Sequence, residues 1–211
     1  MASDVDICNL ALARLGDEAN VTSISPADGG MQAEHCARFY PLALSQILGA
    51  YPWRFAIKRQ TLARLAAEPV GGGYAFPLPS DCVTVLEAHV DDEGLTEHFM
   101  RTLWTIEQQD SRACLVWKHD TCWIRYTSAK TPASLFPSDF VDALAWLLAS
   151  HLAGPVMPGA TGVQVSQSMR EIYEATVQRA MANDARQLRL HEGRREDFLG
   201  DYWDRGQHDY F

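Results

Sequence analysis

Apolar residues recur at helical spacing over residues 3–48 and again over 138–182, and at every second position across much of the stretch between. A 3.6-residue period buries one stripe of a helix, whereas alternation buries one face of a strand. The strands are thus inserted into a helical body in mid-chain. This pattern predicts an α+β protein, with a bundle of about four helices, a central antiparallel β insertion and an extended C-terminal tail. The expected division is 1–52 with 131–190 as a discontinuous helical domain, 53–130 as the β domain and 191–211 as a C-terminal extension.

Ser3 is placed to cap a first helix running to Leu15, with Asp4 and Asp6 at its positive end and Ile7, Cys8, Ala11, Leu12 and Leu15 as its stripe. Gly16 stops it. The loop "VTSISPADGG" is expected to anchor through Ile24. A second helix spans Met31 to Leu48, with Pro41 expected to kink or restart it. Ser138 is expected to cap a third helix that ends at Gly154-Pro155 and is apolar nearly all round, which suits a central position. A capping box at Ser168 and Glu171 is expected to open the last helix, with Met169, Ile172, Tyr173, Val177, Ala180 and Met181 as its stripe.

Between them, Phe55, Ile57 and Arg59 alternate with Arg54, Ala56 and Lys58, although "RQTLARL" also fits a short helical turn. Tyr74–Leu78, Cys82–Val90 and His98–Ile106 read as strands. Ala113–Lys118 and Thr121–Thr127, separated by "HD", read as a hairpin with Val116 and Trp117 facing Trp123 and Ile124.

The 27 acidic residues outnumber the 18 basic ones, for a net charge of −9. Proteins that grip nucleic acid through its phosphates carry a basic excess. The local exception is Ala50–Leu65, where Tyr51, Trp53 and Phe55 lie beside Arg54, Lys58, Arg59 and Arg64. One reading is a nucleic-acid-binding module centred on Arg54, Lys58 and Arg59. The other has Trp53 and Phe55 plugging the junction between helices and sheet. Pro52 and the change of period favour the second, since burying each ring is worth a few kcal/mol.

"MASDVD" lacks the basic start of a secretory leader, and the most apolar segment, Phe140–Ala153, is too short to span a bilayer and contains Asp142. The expectation is a soluble protein made in a cytoplasm, with no membrane partner. The cysteines Cys8, Cys36, Cys82, Cys114 and Cys122 are odd in number and lack C-x-x-C spacing, which predicts five buried thiols. His35 and Cys36 could lie near Cys8 if the first two helices pack; a metal or catalytic role there weighs less than ordinary core packing. No H-x-x-x-H or G-x-S-x-G is present, "GGGY" is not followed by G-K-[ST], and "DDEG" has too few spaced oxygens for a calcium loop. The expectation is therefore no enzyme, no catalytic residues, no metal and no cofactor. A small hydrolase would require a pocket holding a residue of shifted pKa.

From Glu192 to Phe211 the chain carries Phe198, Leu199, Tyr202, Trp203, Tyr210 and Phe211 among six acids and the three arginines Arg194, Arg195 and Arg205. Disordered tails are poor in aromatics, whereas interface cores favour aromatics and arginine. These nine residues are the candidate partner interface, on a segment read as having no helical or strand period of its own.

"ICNLALARLG", then Ile24, then Ala33, Cys36 and Tyr40, then "PWRFAIKRQTLA", "YAFPLPSDCVTVL" and "FPSDFVDALAWLLASHLA" occur in that order along the chain. Together they resemble the head-to-tail adaptor proteins of tailed bacteriophages, most nearly the tail tubular A-type proteins of short-tailed phages. The resemblance covers roughly Ile7 to Ala182, and residues beyond His191 lie outside it. It implies a ring, usually of twelve copies, beneath the portal protein at one capsid vertex. A C-terminal extension would climb onto the portal, the opposite face would receive the nozzle or next tail component, and genomic DNA would pass through the lumen without specific binding. It also implies a place in the virion neck, after assembly in the host cytoplasm. An acidic balance suits such a channel, because like charge discourages phosphate adhesion.

Overall fold

Ser3 caps α1 (Asp4–Arg14): its hydroxyl accepts from the Asp6 amide, and the Asp6 carboxylate accepts from the Ser3 amide in return. The computed structural model describes residues 2–18, 20–90, 104–157 and 159–204, with side chains described to residue 186. Among these the chain forms α1, α2 (Met31–Ala50), β1 (Ile57–Thr61), β2 (Tyr74–Pro77), β3 (Cys82–His89), β4 (Thr105–Gln109), β5 (Arg112–Trp117), β6 (Trp123–Ser128), α3 (Ser138–Val156) and α4 (Ala160–Asp204). The class is mixed α+β, with four helices and two three-stranded antiparallel sheets among the described residues.

The chain divides into two compact units, one formed by residues 1–40 and 136–211, the other by residues 41–135. The first division falls inside α2 at Pro41, earlier than the expected break after residue 52. α2 runs through Pro41 as one helix, and its later turns belong to the same unit as the sheets. Trp53 Nε1 donates to the Ile47 carbonyl, and a side chain at Gly49 would meet Val83 of β3.

In the first unit α1 and α2 run antiparallel, as their paired rungs show. Tyr40 donates to Asp4 at 2.7 Å, and Gln32 reaches Asp17 at the other end. Asn9 on α1 exchanges two hydrogen bonds with the backbone of Val21, at 2.9 and 3.1 Å. The loop thus anchors through buried Val21, while Ile24, the expected anchor, is only half-buried. Arg14 ties α1 to α3, donating to the Asp142 carbonyl and carboxylate and lying 3.9 Å above the Trp146 ring.

α3 is buried nearly all round, as its composition predicts. Its ends differ from expectation. The cap position is Pro137, Ser138 is already helical, and the helix continues through Gly154 and Pro155 to Val156. A helix accepts proline where the lost amide bond and ring clash can be tolerated, here in its final turn. α4 begins at Ala160, so Ser168 and Glu171 are interior and form no capping box; the Ser168 hydroxyl bonds back to the Gln164 carbonyl. The short connection requires Gly162, because a Cβ there would overlap the Met157 carbonyl. Tyr173, Val177 and Ala180 are buried as expected, Met169 and Met181 are half-buried, and Ile172 faces outward at 39% exposure.

The second unit holds the sheets, in the orders β1-β6-β3 and β2-β5-β4. One apolar cluster draws on both: Phe76, Leu115 and Trp117 from one sheet, Ala88, Ile124 and Tyr126 from the other. The expected hairpin between residues 113–118 and 121–127 does not form. β5 has β2 on one edge and β4 on the other, so β6 has no edge of β5 to join and pairs with β1 and β3 instead. The hairpin that does form is β4–β5. Asp110 and Ser111 have φ of 48° and 63°, and two positive-φ residues make the turn whose twist suits adjoining strands. The expected strand His98–Ile106 mostly lies outside the described residues; β4 starts at Thr105.

Candidate interaction surfaces

The aromatic-basic stretch is built inward. Trp53 is 1% exposed and donates to the Ile47 carbonyl at 2.7 Å. Tyr51 packs edge-on to it at 5.0 Å, and Phe55 lies tilted at 6.0 Å. The rings therefore pack on one another, with Tyr51 and Phe55 half-buried, and Trp53 offers no face to a base. Residues 54–56 make a single 3₁₀ turn before β1, and "RQT" continues as strand rather than as a helical turn.

The basic residues divide. Lys58 pairs with Asp81 at 2.9 Å. Asp81 also accepts from Ser128 at 2.7 Å and from Tyr126 at 3.3 Å, so a loop carboxylate gathers β1 and β6 around itself. Burial opposes its ionisation, but the hydrogen bonds from Ser128 and Lys58 and the lysine's charge outweigh this and bring its pKa down to about 2. Arg64 lies over the Tyr74 ring at 4.7 Å. Arg59 is exposed and stands opposite Arg125 in the β1–β6 register, and Arg125 is itself bound to Glu87 at 2.6 Å. Lys58 and Arg125 thus meet acids of their own chain. Nothing in the sequence marked Asp81 for this role except its place in the "PSD" loop.

A shallow groove of about 460 Å³ in the first unit is lined by Ser150, His151, Ser166, Gln167, Arg170 and Glu171. Ser166 donates to the Ser150 carbonyl at 2.7 Å and Ser150 to the Leu147 carbonyl at 2.6 Å. Neither hydroxyl is directed at His151, which stacks on Phe39 with centroids 6.2 Å apart. Burial, then the nearby Arg170 charge, lowers the His151 pKa, which favours the neutral ring.

All five cysteines are free thiols; Cys8, Cys36, Cys114 and Cys122 are buried, and Cys82, expected buried, is half-buried. Cys8 and Cys36 do come near enough to influence each other's ionisation, both in the buried core. Among the described residues there is no group of three His, Cys, Asp or Glu placed to hold a metal, and no helix long and apolar enough to cross a membrane.

The chain past Leu190 does not leave the helix. α4 continues to Asp204, carrying Arg194, Arg195, Phe198, Leu199, Tyr202 and Trp203 on helical backbone. Arg205, Tyr210 and Phe211 lie outside the described residues. The overlooked signal is the spacing of Phe198, Leu199, Tyr202 and Trp203 at i, i+1, i+4 and i+5, which is helical, in a stretch rich in Arg and Glu and free of proline. Asn183 donates to Asp139 in the first turn of α3, so the helix beyond it extends about 30 Å past that end of α3.

No protein-family model matches the chain, and no curated protein is significantly similar to it.

Proposed function

We propose that this chain is a structural virion protein: a ring-forming head-to-tail adaptor that joins the portal to the tail nozzle and forms part of the DNA channel. The observation that carries the reading is the long arm of α4. The helix runs about 20 residues beyond Asn183 with four large apolar residues at helical spacing. A lone helix of that length is marginal in water, and an amphipathic one is stabilised by laying its apolar side into a partner's groove. This fits a C-terminal extension that docks on a portal or on a neighbouring copy. The net charge of −9 suits a lumen through which DNA must slide.

The nucleic-acid reading is the weaker one, because Trp53 is buried and Lys58 is paired with Asp81. Imaging of the virion neck tests the proposal. The expected result is a closed ring of this protein, with about twelve-fold symmetry, between portal and nozzle. A single copy per vertex, or absence from the particle, overturns it.

A further inference from the structure

β1 and β4 are open sheet edges. Among the described residues β1 pairs only with β6, and β4 only with β5. Four of the five residues in each strand are exposed, all but Ile57 in β1 and Gln109 in β4. The other two edges are less open. β3 is mostly half-buried, and β2 receives the chain leaving β1, whose Leu65 amide donates to the Ala75 carbonyl at 2.8 Å. An open edge is a row of unpaired amides and carbonyls, ready to accept another strand. The two edges also differ in charge, with Lys58 and Arg59 on β1 and Glu107 on β4. Like charges keep each edge from its own kind, and opposite charges draw one to the other. We infer that β4 of one copy pairs antiparallel with β1 of the next, joining the copies through a continuous sheet.

The main chain fixes the register. Leu62 donates to the Cys122 carbonyl at 2.8 Å, in line with the β1–β6 pairing, so Lys58 and Gln60 also aim their main-chain groups at β6. Those of Arg59 and Thr61 point away. Leu78 donates to the Ala113 carbonyl at 2.9 Å, which turns the main chain of Ala113 and Leu115 toward β2 and that of Cys114 and Val116 toward β4. Their partners Glu107 and Thr105 therefore face β5, and Ile106 and Gln108 present outward amides and carbonyls. A register that sets Lys58 opposite Glu107 sets Arg59 opposite Ile106, and both of these carry outward main-chain groups. Charge and hydrogen bonding thus select the same register. Lys58 is bound to Asp81 yet 45% exposed, so it can meet a second carboxylate. Ile106, 46% exposed, gains cover from the Arg59 stem. Because β1 and β4 are different surfaces, the contact is head-to-tail, and such contacts generate a ring where the rotation closes. The inference deepens the ring reading by naming its contact; it rests on that reading for closure into a ring, not for the pairing.

The test is sedimentation of the full-length protein over a range of concentrations. Wild type should associate, and more strongly at low salt. Arg59→Pro and Ile106→Pro each remove an outward amide, a change that an edge strand tolerates. Each variant should keep its circular dichroism and sediment as a single chain. Mixed together they should form pairs and nothing larger, since β4 of the first and β1 of the second remain usable. Glu107→Lys should weaken wild-type association about ten-fold without altering a main-chain group. It decides the matter if a proline variant fails to fold. Wild type that stays a single chain at every concentration, proline variants that associate as wild type does, a mixture of the two that does not pair, or undiminished association of Glu107→Lys overturns the inference. Each of these results leaves the ring reading to neck imaging: a ring in the particle together with failed edge pairing would move the contact between copies elsewhere on the chain.

Discussion

Trp53 Nε1 donates to the carbonyl of Ile47 at 2.7 Å, folding the chain that leaves α2 back onto the helix it has just left. Pro52 makes the turn, and the ring is sealed with 1% of its surface exposed. Trp53→Ala should cost about 3–5 kcal/mol, read as a lowered denaturant midpoint. Trp53→Phe keeps most of the apolar contact but strands the carbonyl, so about 1–2 kcal/mol is expected. Wild-type stability in Trp53→Ala together with lost DNA retention would instead revive the nucleic-acid reading.

Asp81 makes stability depend on pH. Its folded pKa, about 2, lies below the ordinary carboxylate value. The stability it confers is complete above the unfolded pKa near 4 and drains away as pH falls toward 2. Asp81→Asn should therefore be less stable than wild type at pH 7, with the gap narrowing below pH 4. Urea melts at pH 7, 4 and 2.5 decide it; a gap that stays constant would show that the carboxylate's charge is irrelevant.

Gly73 sits at φ +91°, and a Cβ there would come within 2.6 Å of the Trp117 carbonyl where β2 meets β5. Gly73→Ala should cost about 1–3 kcal/mol through backbone strain and overlap. Gly72→Ala has the same handedness, φ +84°, but open space around it, so it should cost less. Equal thermal shifts in the two variants would show that the close approach to β5 contributes nothing.

The α4 arm should be separable from the body. Deleting residues after Leu190 removes helix beyond Asp184, the last buried residue among those described. The melting temperature should change little, and co-sedimentation with portal should fail. Phe198→Ala with Trp203→Ala in the full chain should weaken that binding by at least ten-fold if they are central anchors. Normal portal attachment by the truncated chain would move the contact to the body.

Elements whose signals are local are legible in the amino-acid order. The Ser3 cap, the stop at Gly16 and the all-round apolar α3 concern residues within a few positions of one another, so periodicity and capping read them directly. The order of helices, strands and helices, and hence the α+β class, comes from the same periods. The helical run through Phe198, Leu199, Tyr202 and Trp203 is equally local and visible in the spacing, though Gly193 and Gly200 obscure it. Strand partnership is different, because it belongs to the closed fold. Val116 and Trp117 are not strand partners of Trp123 and Ile124, because β2 and β4 occupy both edges of β5, and no property of residues 113–127 reports what arrives from Tyr74 or Thr105. The same holds for Asp81, which gathers Lys58, Tyr126 and Ser128, and for the nearness of Cys8 and Cys36. A hydrogen bond forms between groups that packing makes adjacent, and adjacency across tens of residues exists only once the chain has closed its loops.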